Sequence, residues 1–320
     1  MKDIRRYGVG FALIASSWAA SASCGSAFCT LMTDRFAQGA GEPHLGWSAD
    51  LRIESVSQKR LRSGTHDIDP SQVTGEDAIE RYTKNLNVVT TLEYGVSADW
   101  SWSLRIPVVR RDHAHDLIDD TTRLPSTNER WRFTKLGDVQ LLARRQFVAD
   151  DAATAYAVFG GWKFPTGSTT ITNADGTRAE RALQPGSGTT DGVLGLALRR
   201  ALGGADALIG QASVVAALNE HEAFRPGQRI EASLGWSHAF SERLGTIVQA
   251  NMLYRTRDRG AEAEPDNSGS TMLNLSPGVT LGIGHASTLY AYVQVPLYQR
   301  VNGIQLVPRS SFAIGWTGDF

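Results

Sequence analysis

Four small groups of residues in this sequence carry side chains capable of chemistry. His285-Ala286-Ser287 sets a base and a hydroxyl on one face of any strand that holds them, the arrangement a strand-borne hydrolase needs. The match falls in a short predicted turn, so the reading is that the chain is not an enzyme. Asp112-His113-Ala114-His115-Asp116 gathers two imidazoles and two carboxylates, which makes His113 and His115 weak candidates for a divalent metal. This run lies in a predicted loop, where solvated polar residues are ordinary. Cys24 and Cys29 are the only cysteines and form a disulfide candidate; their spacing, with no nearby His, is not that of a zinc site. Lys163 and Asp191, of opposite charge, stand at the ends of predicted neighbouring strands. No motif asks for a cofactor.

The elements that position these groups read as strands. In the last ten residues Phe312, Ile314, Trp316 and Phe320 fall on one side and Ser311, Ala313, Thr317 and Asp319 on the other, a period of two ending on an aromatic carboxyl terminus. Near the other end of the chain Leu45, Trp47, Ala49, Leu51 and Ile53 alternate with Ser48, Asp50, Arg52 and Glu54. The pattern recurs where Trp100, Trp102, Leu104, Ile106 and Val108 alternate with Ser101, Ser103 and Arg105. A water-soluble sheet would have to bury those charges or expose those apolar faces. A barrel with lipid outside and a wet lumen inside accommodates both.

About twelve such segments are separated by connectors that alternate in length. Short ones, such as 96–99 and 241–243, lie between mostly long polar ones at 60–84, 112–134, 166–188, 219–228 and 256–270. The expectation is therefore an all-β, transmembrane, up-and-down antiparallel β-barrel with short periplasmic turns and long extracellular loops. A mean hydropathy of -0.22 does not oppose this, since only alternate residues meet lipid. A propeller would repeat every 40 to 50 residues or so, and no such repeat is present. A net charge of -1 offers no footprint for nucleic acid. Residues 1–22, with Lys2, Arg5 and Arg6 before an apolar run and Ala20-Ser21-Ala22, read as a signal peptide. Residues 23–43 follow as a periplasmic segment holding Cys24 and Cys29 and a candidate plug, and 44–320 as the barrel.

The middle of the chain carries more specific motifs. Gly137-Asp138-Val139 enters a strand, Gly161-Trp162-Lys163-Phe164-Pro165-Thr166-Gly167 leaves one, and Leu183-Gln184-Pro185-Gly186-Ser187-Gly188 precedes Asp191. In these motifs the chain resembles the outer-membrane family named for meta-pathway phenol degradation, over roughly residues 45–320. The resemblance implies a bacterial outer-membrane channel for hydrophobic or aromatic compounds. The cysteine segment lies outside the family pattern. Physically, Pro165 lacks a donor and ends the ladder at the outer rim, while the glycines let the following loop reverse.

Inward positions carry both signs of charge in near balance, which points to a cross-linked, narrow lumen rather than an ion-selective one. The lumen or solute-path candidates are Lys163, Asp191, Arg52, Arg105, Asp138 and Arg144, with the inward rings Tyr290, Tyr292 and Tyr298. Expected partners are outer-membrane lipid, the barrel-assembly machinery through the strand ending at Phe320, and a small-molecule solute. Transport by passive diffusion is the primary expectation, and a closed structural or partner-binding barrel the alternative. Pro277 and Pro296 interrupt predicted strands, where a lost ladder bond would weaken the wall.

Overall fold

The computed structural model describes residues 31–33, 45–74, 76, 78–119, 121–122, 124–284 and 286–320. The strands run in order as β1 (Gly46–Gly64), β2 (His66–Ile68), β3 (Ala78–Gly95), β4 (Trp100–Ile118), β5 (Pro125–Leu136), β6 (Val139–Val148) and β7 (Thr154–Phe164). They continue as β8 (Asp191–Gly203), β9 (Asp206–Ala217), β10 (Arg229–Ala239), β11 (Leu244–Arg255), β12 (Ser270–Ile283) and β13 (Ser287–Asp319). No helix among the described residues is long and apolar enough to cross a membrane.

All pairings are antiparallel, and the sheet closes where Ser48 to Gly64 of β1 meet Asp319 to Val301 of β13. The closed ring contains eleven strand elements, with β2 and β5 off its path. The last element crosses the membrane twice. At 33 residues β13 is far too long for one span. Its first half, Ser287 to Val301, pairs with β12, and its second half, Ile304 to Asp319, pairs with β1. The reversal sits at Asn302-Gly303, where Gly303 adopts a φ of 53°. Both ends of the barrel chain therefore emerge on the rim of short turns, the periplasmic side of such barrels.

Closure is driven by the two faces of each strand. On β1, Trp47, Leu51 and Ile53 face outward while Asp50, Arg52 and Glu54 are buried inside. Near the periplasmic rim Trp47 packs on Tyr94 at 4.9 Å between ring centroids, and Trp316 stacks on Phe320 at 6.4 Å. Toward the opposite rim Trp162 and Tyr254 face out. These rings form the two interfacial girdles of a lipid-embedded barrel.

Tyr298 belongs to the outer girdle and not to the lumen, where its sequence position had suggested it. It is 44% exposed on the outer face. The register jumps between Leu273↔Tyr298 and Asn274↔Pro296, so Leu297 is an extra residue in the ladder. That bulge beside Pro296 inverts the alternation, and residues beyond it change face.

Two expected loops are shorter than their polarity suggests. β1 continues to Gly64 and β3 begins at Ala78, within the stretch expected to be loop. The stretch 112–134 is the hairpin of β4 and β5, paired from Val108↔Leu136 to Ile118↔Pro125. Beyond Val108 the outward residues become Arg110, Asp112, Arg130 and Arg132, so this hairpin stands above the hydrocarbon. Polar residues on the outer face masked the alternation there.

Three inward rings lie flat against the wall because glycine stands across from them. Phe159 pairs with Gly195, where an added Cβ would come 2.3 Å from the ring. Tyr292 pairs with Gly278 at 2.2 Å, and Tyr290 covers Gly315 at 2.3 Å. Ring and bare backbone fill one layer together, which leaves the space above the ring open. Replacing Gly195 by Val is expected to push Phe159 into the lumen and to cost about 1–3 kcal/mol through overpacking. A lowered urea midpoint of the refolded barrel, with reduced solute flux, would register both effects.

Candidate functional site

The sequence motifs of the middle of the chain meet at one place. Lys163 on β7 lies directly opposite Asp191 on β8. Its ammonium nitrogen is 2.6 Å from Asp138 Oδ2 and 3.2 Å from Asp191 Oδ2, with all three side chains almost fully buried. It also donates to Ser187 Oγ and to the Thr189 carbonyl. Asp138 sits at the break between β5 and β6 and accepts from the backbone N–H groups of Gly167 (3.0 Å) and Ser187 (2.9 Å). The two limbs of the 165–190 loop thus converge on the Asp138–Lys163 pair, the first through Gly167 on Asp138 and the second through Ser187 and Thr189. Gly167 and Gly186 touch backbone to backbone there, and a Cβ on Gly186 would fall 2.3 Å from the Gly167 oxygen.

From this staple the loop folds back over the mouth. Gln184 closes it internally, accepting from Ile171 N–H at 2.9 Å and donating to the Ala179 carbonyl at 2.8 Å. Trp131 of β5 donates its indole N–H to the Thr177 carbonyl at 2.9 Å, and Arg111 of β4 donates to the Leu183 carbonyl at 2.5 Å. Trp131, Ala179 and Leu183 pack as a small buried cluster. Arg181 ties this loop to the next, with a 2.9 Å bond to Glu222 and its guanidinium 5.3 Å from the Phe224 ring.

His113 and His115 lie on β4 in the hairpin and not in a loop, and both are buried beside Trp131. His113 shares a 2.8 Å hydrogen bond with Thr83, and His115 a 2.9 Å one with Glu129. Among the described residues no group of three or more His, Cys, Asp or Glu side chains has the geometry to hold a metal ion. Glu180 of the loop is the acid that sequence reading missed. Its Oε1 is 3.8 Å from His115 Nδ1, and neither carboxyl oxygen has a hydrogen-bond partner. Burial, reinforced by the carboxylates of Glu264, Glu80 and Glu129, raises its pKa well above the ordinary range. Burial lowers that of His113 to about 3, with His115 adding to the effect.

Below the loop the lumen holds two cavities. The outer one, about 350 Å³, is walled by Val89, Val109, Phe159, Val193, Val215 and Leu253 together with Lys163, Arg111 and Arg255. The inner one, about 140 Å³, contains Leu31, Met32 and Thr33. Arg105, Gln140, Leu142, Phe159 and Gln211 line both cavities, so this ring of residues is where they meet. Arg144 places its guanidinium 5.9 Å from the Phe159 ring.

The segment 31–33 is buried inside the barrel. Gln249 of β11 grips Met32 through both of its amide atoms, accepting from Met32 N–H at 3.0 Å and donating to its carbonyl at 2.8 Å. Arg52 donates to Thr33 Oγ1 and forms a 2.8 Å ion pair with Glu54, while the Tyr290 hydroxyl donates to Asp50. Leu31 and Met32 pack with Val56, Ile209, Ile247, Tyr290 and Tyr292. Cys24 and Cys29, the signal stretch and His285 lie outside the described residues. Ser287, the hydroxyl of the hydrolase-like match, is the first residue of β13 at the periplasmic turn. On the lipid side the β12–β13 ladder skips Ser276 and Pro277, and an apolar depression of about 520 Å³ lies there between Ile53, Val279, Val293, Phe312 and Ile314.

Two outcomes test the loop anchorage. Lys163→Met leaves Asp138 and Asp191 buried without their cation, and is expected to cost about 3 kcal/mol and to expose the 165–190 loop to protease. Glu180 binds its proton more tightly with the loop docked than free. Its contribution to docking is therefore complete below the ordinary glutamate range and is lost as pH rises through the raised value. His113 acts oppositely, since its stabilisation is present above pH 6.5 and is lost as pH falls toward 3. Protease protection of the loop should weaken toward both extremes, and Glu180→Gln should abolish only the alkaline arm.

No family model matches this chain, and no curated protein matches it. Among solved structures, the COG4313 outer membrane channel from Pseudomonas putida F1 aligns with a TM-score of 0.62 at 13% identity, over 90% of this chain and 100% of that one. The Ralstonia pickettii toluene transporter TbuX aligns at a TM-score of 0.43, with 10% identity over 87% of this chain and 90% of that one. The Pseudomonas putida toluene transporter TodX aligns at 0.44, with 8% identity over 94% and 96%. The likeness to the COG4313 channel is one of fold. Together with the apolar belt and aromatic girdles, it makes this chain a transmembrane β-barrel of the bacterial outer membrane.

Proposed function

We propose that the barrel is a passive channel for small hydrophobic or aromatic molecules. The observation that carries this reading is the pair of cavities along the lumen, both lined by Phe159, whose ring lies over Gly195. The outer cavity combines aliphatic walls with a few fixed polar groups, the composition of sites that take small organic solutes, and at about 350 Å³ it suits a single ring. Its fold partner is itself described as an outer membrane channel. The resemblance of the Gly137–Asp191 motifs to the phenol-degradation family adds an aromatic solute as the specific expectation. In this reading the segment 23–43 is a plug, held at Met32 by Gln249 and at Thr33 by Arg52, and the strand ending at Phe320 is the signal for barrel assembly.

The test is solute flux through refolded, signal-free protein in liposomes. Phenol flux well above that of empty liposomes is expected, with a gain when the residues before His44 are deleted. Absence of flux for both phenol and a small sugar, in both forms and with the barrel shown to be folded, would leave a closed structural or partner-binding barrel. Gln249→Ala should raise flux in the same direction as the deletion, by removing the pair of hydrogen bonds that hold Met32.

A further inference from the structure

Among the described residues most basic side chains along the lumen are engaged; Arg199 of β8, whose Nε has no partner, and Arg105 are not, and of these two it is Arg105 that lines both cavities. Arg52 pairs with Glu54, Lys163 with Asp138 and Asp191, and Arg255 with Asp258. Arg111 is bonded to Asn85 and the Leu183 carbonyl. Arg105 faces the lumen from β4 with neutral neighbours on either side, Thr91 of β3 and Gln140 of β6. Among the described residues it makes no ion pair and no hydrogen bond. The nearby carboxylates are committed elsewhere: Glu93 accepts from Ser101 at 2.7 Å, Asp50 from Tyr290, and Glu54 pairs with Arg52.

Arg105 also stands where the two cavities meet, since it lines both along with Phe159, Leu142, Gln140 and Gln211. Any solute moving between the cavities passes a permanently charged guanidinium on one side of the ring of residues and an aromatic face as another part of it. An inorganic anion has no use for the phenyl ring. A neutral hydrocarbon has no use for the cation, and must leave it without a counter-charge in a confined space. A flat apolar body with one carboxylate satisfies both, because the planar fork of Arg donates two parallel hydrogen bonds to a carboxylate while the ring stacks.

We infer that the meeting point of the two cavities is a recognition site for aromatic monocarboxylates, with Arg105 binding the carboxylate and Phe159 the ring. This rests on the channel reading above and names its solute class. Rotation of Arg105 between the two cavities would hand the carboxylate from one side to the other, while Gln140 and Gln211 offer amide donors on the way.

The experiment measures flux of benzoate, phenol and acetate at pH 8 into liposomes carrying the full signal-free chain, or Arg105→Gln, Arg105→Lys and Phe159→Leu. For the unaltered protein, benzoate should cross faster than acetate, which has the charge without the ring. Arg105→Gln should lower the benzoate-to-phenol ratio by about tenfold, the scale of a lost charge-assisted pair. Arg105→Lys should recover part of it, and Phe159→Leu should lower benzoate toward acetate. Folding of each variant is verified by its heat-modifiable migration. An unchanged benzoate-to-phenol ratio in Arg105→Gln, with phenol still crossing, would overturn this site and leave the channel intact. Loss of flux for every solute in the unaltered, folded protein would overturn the channel itself.

Discussion

The arrangement of the extracellular half depends on the ammonium group of Lys163. A lysine inside a strand wall is costly to bury unless its charge is met at once, and here two carboxylates and two loop oxygens meet it. Because those partners come from the β5–β6 break, from β8 and from the loop, satisfying one charge brings three separate parts of the chain together. The mouth loop cannot swing away without stripping the ammonium of two oxygens and Asp138 of two backbone donors. Its remaining contacts, to Trp131 and Arg111, then act on a segment whose two ends are already held.

A second constraint shapes the space beneath. A barrel of this size has room either to fill with side chains or to remain partly open. Bulky inward rings would close it if they projected toward the axis. Opposing glycines let three of them lie along the wall, so apolar surface is provided without loss of bore. The same rings then serve the amino-terminal segment, since Tyr290 and Tyr292 are part of the apolar contact that receives Leu31 and Met32. The inner cavity is small because that segment occupies it, while the outer cavity retains its volume.

The charges of the interior divide into two kinds. Most are cross-links that neutralise each other within the wall, as the near balance of signs in the sequence implied. Arg105 differs because its strand neighbours carry no acid and the acids within reach already have donors. An unpaired cation in a lumen is a cost to the folded barrel, and Arg105 lines both cavities, where the inferred carboxylate solute would offset that cost.

The alternation of strand residues, the contrast of short and long connectors, and the inward placement of Arg52, Arg105, Tyr290 and Tyr292 were all legible from the chain alone. A period of two in an environment with lipid outside and water inside leaves each strand a single choice of face. The motifs around Asp138, Lys163 and Asp191 could be recognised, but not that all three side chains meet, because the contact crosses a loop whose path no local rule dictates. Tyr298 went to the wrong face because one bulged residue inverts parity, and such a bulge depends on the neighbouring strand rather than on the sequence around it. The β4–β5 hairpin was hidden because both of its faces are polar enough for a loop, although Trp131-Arg132-Phe133 continues the alternation. Glu180 and Gln249 were silent for a related reason: only the packed structure places a buried acid beside His115 and an amide against the backbone of Met32. The periodicity of the chain determined the wall, and long-range closure decided what stands inside it.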